Sequence, residues 1–220
     1  MNPTFVIIPG WHSSGPDHWQ QHWWRTLPGS ILLLQDDWRT PRREDWVQRL
    51  DDVLAALDGP VVLVAHSLGC VTVAHWAQRH RRDNVVAALL VAPADVERPD
   101  AAEPLRAFAP LPVGALPFPA LLVGSETDRA AALGRARLMA SLWETDFLNL
   151  GAVGHINVAA GFHQWEQGKQ LLSQWLQLRL GLRIAGPQDD ADSSPLPRAW
   201  PSACASAGTA PWAPHGQQWG

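Results

Sequence analysis

The sequence has few cysteines and no long apolar segment. Cys70 and Cys204 are the only cysteines among 220 residues, so we expect no disulfide framework and a reducing, cytoplasmic location. No apolar run approaches the roughly 18 residues of a membrane span, and no basic segment with an apolar core precedes the first strand. These absences predict a protein without a membrane partner or a secretion signal.

Tyrosine is absent, and lysine occurs once, as Lys169, among 17 basic residues. The arginines are scattered or stand in short groups, and the net charge is −4. Nucleic-acid binding needs a concentrated positive face, so no nucleic-acid partner is predicted. We attribute the excess of arginine and the 13 tryptophans to a GC-rich codon bias rather than to phosphate or sugar binding.

Short apolar runs alternate with segments of helical period, which is typical of parallel strands joined by crossover helices. Several of the runs are apolar on consecutive positions, as strands covered on both faces are. The pattern predicts an α/β protein: a three-layer α/β/α sandwich around a mostly parallel, doubly wound sheet of about six strands. The predicted strands are Thr4 to Ile8, Ile31 to Leu34, Val61 to Ala65, Val86 to Val91, Ala120 to Gly124 and Phe147 to Leu150.

Helical periodicity marks three segments between and after the strands. One follows Thr40 and Pro41 and ends before Gly59, with its buried stripe at Trp46, Leu50, Val53, Leu54 and Leu57. A second follows the fifth strand, and the last is marked by residues from Trp165 to Arg179. Only 28 residues, 92–119, separate the fourth and fifth strands, too few for a large cap.

The composition changes near residue 184. The segment 184–220 contains six prolines and no apolar period, so it cannot bury enough surface to offset the entropy of ordering it. We predict one domain over 1–183 and a disordered tail over 184–220. The tail's Trp200, Trp212 and Trp219 leave open a second interpretation, in which they anchor a partner or the domain's own surface.

A serine stands at the end of the third predicted strand. Ser67 is followed by a helix-compatible run from Leu68 to Arg79. Ala65 and Gly69, two positions to either side, are small, as the sharp turn of a nucleophile elbow requires, with Ala in place of the usual first Gly. The pattern predicts Ser67 as a nucleophile; the alternative is that it only caps the following helix.

A nucleophilic serine needs a base within hydrogen-bond reach. The loop after the sixth strand contains Gly154 and His155, and the glycine lets the backbone carry the imidazole over the edge of the sheet. We predict His155 as the base and keep His163, which lies farther downstream, as the competitor.

The base in turn needs a carboxylate that fixes its tautomer. Asp128 lies in the loop after the fifth strand, which gives the chain order Ser, Asp, His of this fold. Glu126, in the same loop, and Asp95, after the fourth strand, are the alternatives. Asp128 is the predicted acid.

The turn after the first strand, 9–15, contains two glycines. Such a turn supplies an oxyanion donor, so we predict the backbone N–H groups of Trp11 and Leu68 as the oxyanion hole. His12 and His66 are predicted to line the site.

His18 and His22 are four residues apart, the spacing of two metal ligands on one helix face. No acidic residue of a His-Glu-x-x-His motif lies between them. We interpret them as polar flank residues of a helix docked by Trp19 and Trp23, and predict no metal and no cofactor. Cys70 is interpreted as a core residue.

Taken together, these blocks resemble the serine hydrolase family of retinoblastoma-binding protein 9 and YdeN, over about residues 4 to 180. The blocks are Pro9 to Gln20, Ala65 to Gly69, Ala92 to Asp95, the loop of Asp128, and Gly154 to Asn157 with Gly161 and Phe162. The resemblance implies an α/β-hydrolase fold without a large cap and a triad of Ser67, Asp128 and His155. The acid loop departs from the family's Ser-x-Asn-Asp-Pro, since here it reads Ser125 to Arg129 as Ser-Glu-Thr-Asp-Arg.

The predicted function is hydrolysis of a small acyl substrate, an ester, thioester or amide, through an acyl-enzyme on Ser67. The alternative is a catalytically weak protein-binding module on a hydrolase scaffold, with a protein partner. The physiological substrate and the oligomeric state are not specified by the sequence.

Overall fold

A six-stranded sheet forms the centre of the structure, a computed structural model that describes residues 2–184. The spatial order is β2-β1-β3-β4-β5-β6, and every neighbouring pair is parallel. The strands are β1 (Thr4–Ile8), β2 (Ile31–Leu32), β3 (Val61–His66), β4 (Val85–Val91), β5 (Ala120–Gly124) and β6 (Asp146–Asn149).

Helices cover both faces of this sheet and complete the predicted three-layer α/β/α sandwich. They are α1 (Trp19–Thr26), α2 (Arg43–Ala55), α3 (Leu68–Arg79), α4 (Glu103–Arg106), α5 (Leu133–Leu142) and α6 (Glu166–Leu180), with a 3-10 turn at Val158–Ala160. Side chains of α1 and α6 share one core cluster, and side chains of α2 to α5 share the other.

Alternate residues of the inner strands belong to opposite core clusters. In β3, Val62 and Val64 pack with α1 and α6, whereas Leu63 and Ala65 pack with the helices of the opposite face. All six residues of β3 are buried. This two-sided burial is why the strand is apolar on consecutive positions.

Element boundaries differ from the sequence prediction at several places. Strand β3 ends at His66 rather than Ala65, and β4 begins at Val85 rather than Val86. The edge strand β2 ends at Leu32 rather than Leu34, and Leu34 is exposed. Helix α2 begins at Arg43, not directly after Thr40. Strand β6 lies one residue earlier than predicted, at Asp146–Asn149.

The segment between β4 and β5 contains a single four-residue helix, α4. No large cap is therefore inserted there, as expected from its length. The tail predicted for 184–220 lies outside the described residues from position 185 onward. Within residues 2–184, no helix combines the length and the apolar character needed to cross a bilayer.

Candidate active site

Ser67 occupies a sharp turn between β3 and α3. Its backbone has φ 54° and ψ −120°, a conformation that costs a non-glycine residue about 1–3 kcal/mol and is concentrated at functional sites. The Ser67 N–H donates to the carbonyl of Val91 at 3.0 Å, and the Ser67 carbonyl accepts from Ala94 at 3.3 Å. Strand β4 and the segment after it therefore hold the turn in place.

Close backbone approach explains the glycines around this turn. A Cβ added to Gly69 would lie 2.5 Å from the Ile8 carbonyl oxygen and 2.7 Å from that of Pro9. A Cβ at Gly10 would lie 2.8 Å from Cβ of Ser67 and 3.3 Å from the Leu68 nitrogen. Residues 10 and 69 must therefore be glycine for the loop after β1 to lie against the elbow.

Asp128 and His155 are in direct contact. Nδ1 of His155 lies 2.9 Å from Oδ2 and 3.0 Å from Oδ1 of Asp128. The side chain of Asp128 is only 3% exposed and that of His155 is 23% exposed. A carboxylate can only accept, so Nδ1 carries the hydrogen and Nε2 is the free basic nitrogen of the neutral ring.

The imidazole of His155 lies at the elbow. Its centroid is 4.8 Å from that of His66, the residue before Ser67. In the described part of the chain, the ring's hydrogen bonds run through Nδ1, and none joins Nε2 to Oγ of Ser67. Such bonds are often long without substrate and tighten when it binds.

The two competing acids have other partners, and the competing base is exposed. Asp95 pairs with Arg135 at 3.1 Å, and Glu126 accepts from the Asn149 amide at 2.8 Å. His163 is exposed. Among these candidate acids, Asp128 is the one whose carboxylate contacts His155.

The two predicted oxyanion donors lie next to each other. The position that a Cβ of Gly10 would take is 3.3 Å from the Leu68 nitrogen, so the peptide leading to Trp11 adjoins the first turn of α3. Within residues 2–184, neither the Trp11 nor the Leu68 N–H has a backbone acceptor. Unoccupied amides at these two positions are what the predicted oxyanion hole requires.

The two histidines predicted to line the site differ in position. His12 is exposed and stacks on the Trp11 ring, with centroids 4.1 Å apart. His66 is buried, and its Nε2 lies 2.9 Å from the carbonyl oxygen of His155.

Sequence reasoning placed His18 and His22 together on the flank of a helix, but the structure separates them. His18 caps α1, with Nδ1 accepting from the Gln20 N–H, and is buried with its ring centroid 4.9 Å from that of His66. His22 contacts Glu166 at 3.2 Å instead. In the described range, no three histidine, cysteine or acidic side chains are arranged to hold a metal ion.

Gln20 is a second buried polar residue that sequence reasoning missed. Its amide nitrogen donates to the carbonyls of Ile8 and Val64, and its oxygen accepts from the Ser14 hydroxyl. It therefore joins the ends of β1 and β3 beside the elbow. A polar residue two positions into a helix gives no sequence signal of this role, although it belongs to the block 9–20 that carried the family resemblance.

Comparisons with known proteins identify the family of the chain. The family profile described as serine hydrolase matches residues 5–174. The chain is similar to the crystal structure of a putative YdeN-like hydrolase from Pectobacterium atrosepticum, with 29% identity, a TM-score of 0.71, and coverage of 80% of this chain and 92% of that one. No protein of curated function matches the chain significantly.

Two further solved structures share the fold at lower identity. The ydeN gene product from Bacillus subtilis has 18% identity and a TM-score of 0.66, with coverage of 80% of this chain and all of that one. The carboxylesterase CesB from Bacillus subtilis has 14% identity and a TM-score of 0.58, with coverage of 82% and 84%. The family match spans most of the described residues, so the chain belongs to the serine hydrolase family and has the α/β-hydrolase fold.

Proposed function

We propose that the chain cleaves small carboxylic esters, or the related thioesters or amides, through an acyl-enzyme on Ser67. The observation that carries the proposal is the contact of 2.9 Å between the Asp128 carboxylate and Nδ1 of His155 beside the elbow. This contact fixes the tautomer that leaves Nε2 free to accept a proton. The name of the structurally similar CesB, a carboxylesterase, favours esters as the first substrates to test.

In the first half of the reaction, Oγ of Ser67 attacks the acyl carbonyl carbon while Nε2 of His155 takes the hydroxyl proton. The resulting oxyanion accepts hydrogen bonds from the Trp11 and Leu68 amides. The bond to the leaving group then breaks, and His155 passes its proton to the departing alcohol, thiol or amine.

Water completes the cycle. His155 removes a proton from a water molecule that attacks the acyl-enzyme, the carboxylic acid leaves, and Ser67 regains its hydrogen. Each oxyanion donor typically contributes about 3–4 kcal/mol to transition-state stabilisation. The chain's own residues supply every group that this cycle requires.

Labelling with a fluorophosphonate probe tests the role of Ser67. We expect the wild type to be labelled, Ser67→Ala to be unlabelled, and His155→Ala to react far more slowly because the serine then has no base. Ser141→Ala, at an exposed serine of α5, is the matched control and should label as the wild type does.

Steady-state kinetics on the same proteins test the acid. Asp128→Asn should lower kcat by about 10²- to 10⁴-fold because the amide no longer fixes the base's tautomer, whereas Asp95→Asn should retain most activity. Absence of labelling in the wild type would contradict the proposal and favour a protein-binding module.

The acyl group should be short. Within residues 2–184 no cap is inserted over the elbow, since only the four-residue α4 interrupts the segment between β4 and β5. A site that is open in this way offers a long acyl chain little apolar surface to bury. Hydrolysis of p-nitrophenyl acetate and butyrate should therefore exceed that of the palmitate in kcat/KM. Preference for palmitate would show that the acyl site is not the open one described here.

A further inference from the structure

His66 lies between two other imidazoles. Its ring centroid is 4.8 Å from that of His155 and 4.9 Å from that of His18. The triad chemistry uses only the outermost of the three rings, His155. The other two are buried behind it, each 5–6% exposed, and need a separate explanation.

Hydrogen-bond partners fix the tautomers of both buried rings. Nε2 of His66 lies 2.9 Å from the carbonyl oxygen of His155, which can only accept, so this nitrogen carries the hydrogen. Nδ1 of His18 accepts from the Gln20 N–H and therefore carries none. Both contacts are satisfied by neutral imidazoles.

The next carbonyl along the chain, that of Ile156, also accepts a hydrogen bond from a buried ring. Nε1 of Trp19 donates to the Ile156 carbonyl at 2.9 Å, and the Trp19 ring packs edge-on against His66. Ile156 has φ 50°, a strained conformation for a β-branched residue. Such a conformation persists where surrounding contacts hold it in place. Here His66 and Trp19 donate to the adjacent carbonyls of His155 and Ile156.

We propose that His66 is a positioning residue for the base: its Nε2–H holds the backbone of His155 while its uncharged ring supports the imidazole of His155. The proposal rests on the acyl-enzyme function argued above. When His155 takes the proton of Ser67, the resulting cation contacts the Asp128 carboxylate and the neutral ring of His66.

Burial keeps the supporting rings uncharged. Desolvation, followed by the charge of His155 and that of His18, holds the pKa of His66 well below its ordinary value. Desolvation and then the charge of His155 lower the pKa of His18 to about 4. His155 and His18 are the titratable groups that act on His66, and no carboxylate is among them.

The chain contains a matched control for this role. His75, in α3, is also 5% exposed, and its Nε2 lies 2.7 Å from the carbonyl oxygen of Phe108, remote from the base loop. His66 and His75 are therefore both buried histidines bound to a backbone carbonyl. Of the two, only His66 is bound to the backbone of His155, the proposed base.

The test compares His66→Gln, His66→Asn, His66→Phe and His75→Phe by kcat and KM on a short ester, with Tm recorded for each. Glutamine extends an amide N–H to about the position of Nε2, asparagine is one methylene too short, and phenylalanine has no donor. We expect His66→Gln to stay within roughly threefold of the wild-type kcat. His66→Asn and His66→Phe should lose about 10- to 100-fold in kcat with little change in KM.

His75→Phe should lower Tm and leave kcat unchanged. Wild-type kcat in His66→Asn, or equal losses in His66→Gln and His66→Asn, would overturn the proposal. The comparison of glutamine with asparagine decides the question even where phenylalanine prevents folding, since both replacements are polar and uncharged. Activity that survives Ser67→Ala would refute the proposed function itself, and a loss confined to Ser67→Ala would refute only the role of His66.

Discussion

At the scale of single residues, the site is built from conformations that ordinary residues avoid. Ser67 and Ile156 both have positive φ, at 54° and 50°. Each such residue costs about 1–3 kcal/mol, which the surrounding structure must offset. One of the two strained residues is the proposed nucleophile, and the other directly follows the proposed base.

Glycine is required near Ser67 for a different reason. At positions 10 and 69 a side chain is excluded by steric contact. A Cβ added to Gly69 would lie within 2.8 Å of the Ile8 and Pro9 carbonyl oxygens, and one added to Gly10 would lie 2.8 Å from Cβ of Ser67. Gly69, two residues after Ser67, therefore serves the packing of β1 as well as the turn. A larger residue at 69 would displace the loop that carries the Trp11 amide.

At the scale of elements, the loops after β5 and β6 form one unit. The Glu126 N–H donates to the Gly151 carbonyl at 2.9 Å. The hydroxyls of Ser125 and Thr127 accept from the N–H groups of Val153 and Gly154 at 3.1 and 2.9 Å. The acid loop therefore holds the base loop by three hydrogen bonds besides the contact between Asp128 and His155.

This unit accommodates the departure from the family's acid-loop motif. Thr127 stands where the family has asparagine, and its hydroxyl is bonded to the residue before His155. The Asp128 carboxylate accepts from the Ala130 N–H at 2.7 Å, which closes the turn locally without the family's proline. Asp128 thus reaches His155 in a loop of different sequence.

Thr127→Val should reveal the contribution of that hydroxyl. Valine keeps the shape but leaves the Gly154 N–H without its acceptor, and a hydrogen bond of about 1 kcal/mol corresponds to a loss of roughly fivefold in kcat. Thr127→Ser should restore the wild-type rate. The control is Thr145→Val, since the Thr145 hydroxyl is buried and has no hydrogen-bond partner among residues 2–184; its rate should match that of the wild type. Equal rates in Thr127→Val and Thr127→Ser would show that the bond does not position His155.

Most of the fold followed from the sequence because parallel strands and amphipathic helices have distinct periods. Strands β1 and β5 and helix α3 have the predicted bounds. The edge strand β2 was overestimated, because apolar residues continue past its last pairing with β1, at Leu32. Propensity alone does not show where an edge strand separates from its neighbour.

The buried histidines could not be predicted in the same way. His18 lies eight residues after Gly10, whose backbone packs against Ser67. On a helical wheel, His18 falls on the polar flank of its helix. Its burial depends on α1 packing beside the elbow, a contact between distant parts of the chain. The chain order of Ser67, Asp128 and His155, by contrast, follows from topology and was accessible from the sequence.

At the scale of the whole molecule, tryptophan connects the two cores to the loops. Among residues 2–184, six tryptophans are almost fully buried, and each of their indole N–H groups has an acceptor, as buried tryptophans usually do. They are Trp19, Trp23, Trp46, Trp76, Trp143 and Trp175. Each of these tryptophans combines a large apolar side chain with a hydrogen bond. In four of the six, the acceptor is a loop carbonyl.

Global stability should decrease on mild acidification because buried histidines remain neutral in the fold. Burial lowers the pKa of His18 to about 4, whereas the unfolded chain titrates this group near 6.5. Between these values the unfolded state binds more protons, so the free energy of unfolding falls as the pH falls. For His18 alone the loss from pH 7 to pH 5 is about 2 kcal/mol.

Urea unfolding at pH 7 and pH 5 measures this loss. His18→Asn keeps an acceptor at the helix cap and removes the titrating ring, so the difference in unfolding free energy between the two pH values should shrink by about 2 kcal/mol. His163→Asn, at an exposed histidine, is the control and should leave the difference unchanged. Carboxylates with a lowered pKa, such as Asp51 beside Arg82, also stabilise the fold, but this stabilisation is lost only below the pH range of the experiment. They therefore do not cause the difference between pH 7 and pH 5. A wild-type difference retained in His18→Asn would show that His18 is not held neutral by the fold.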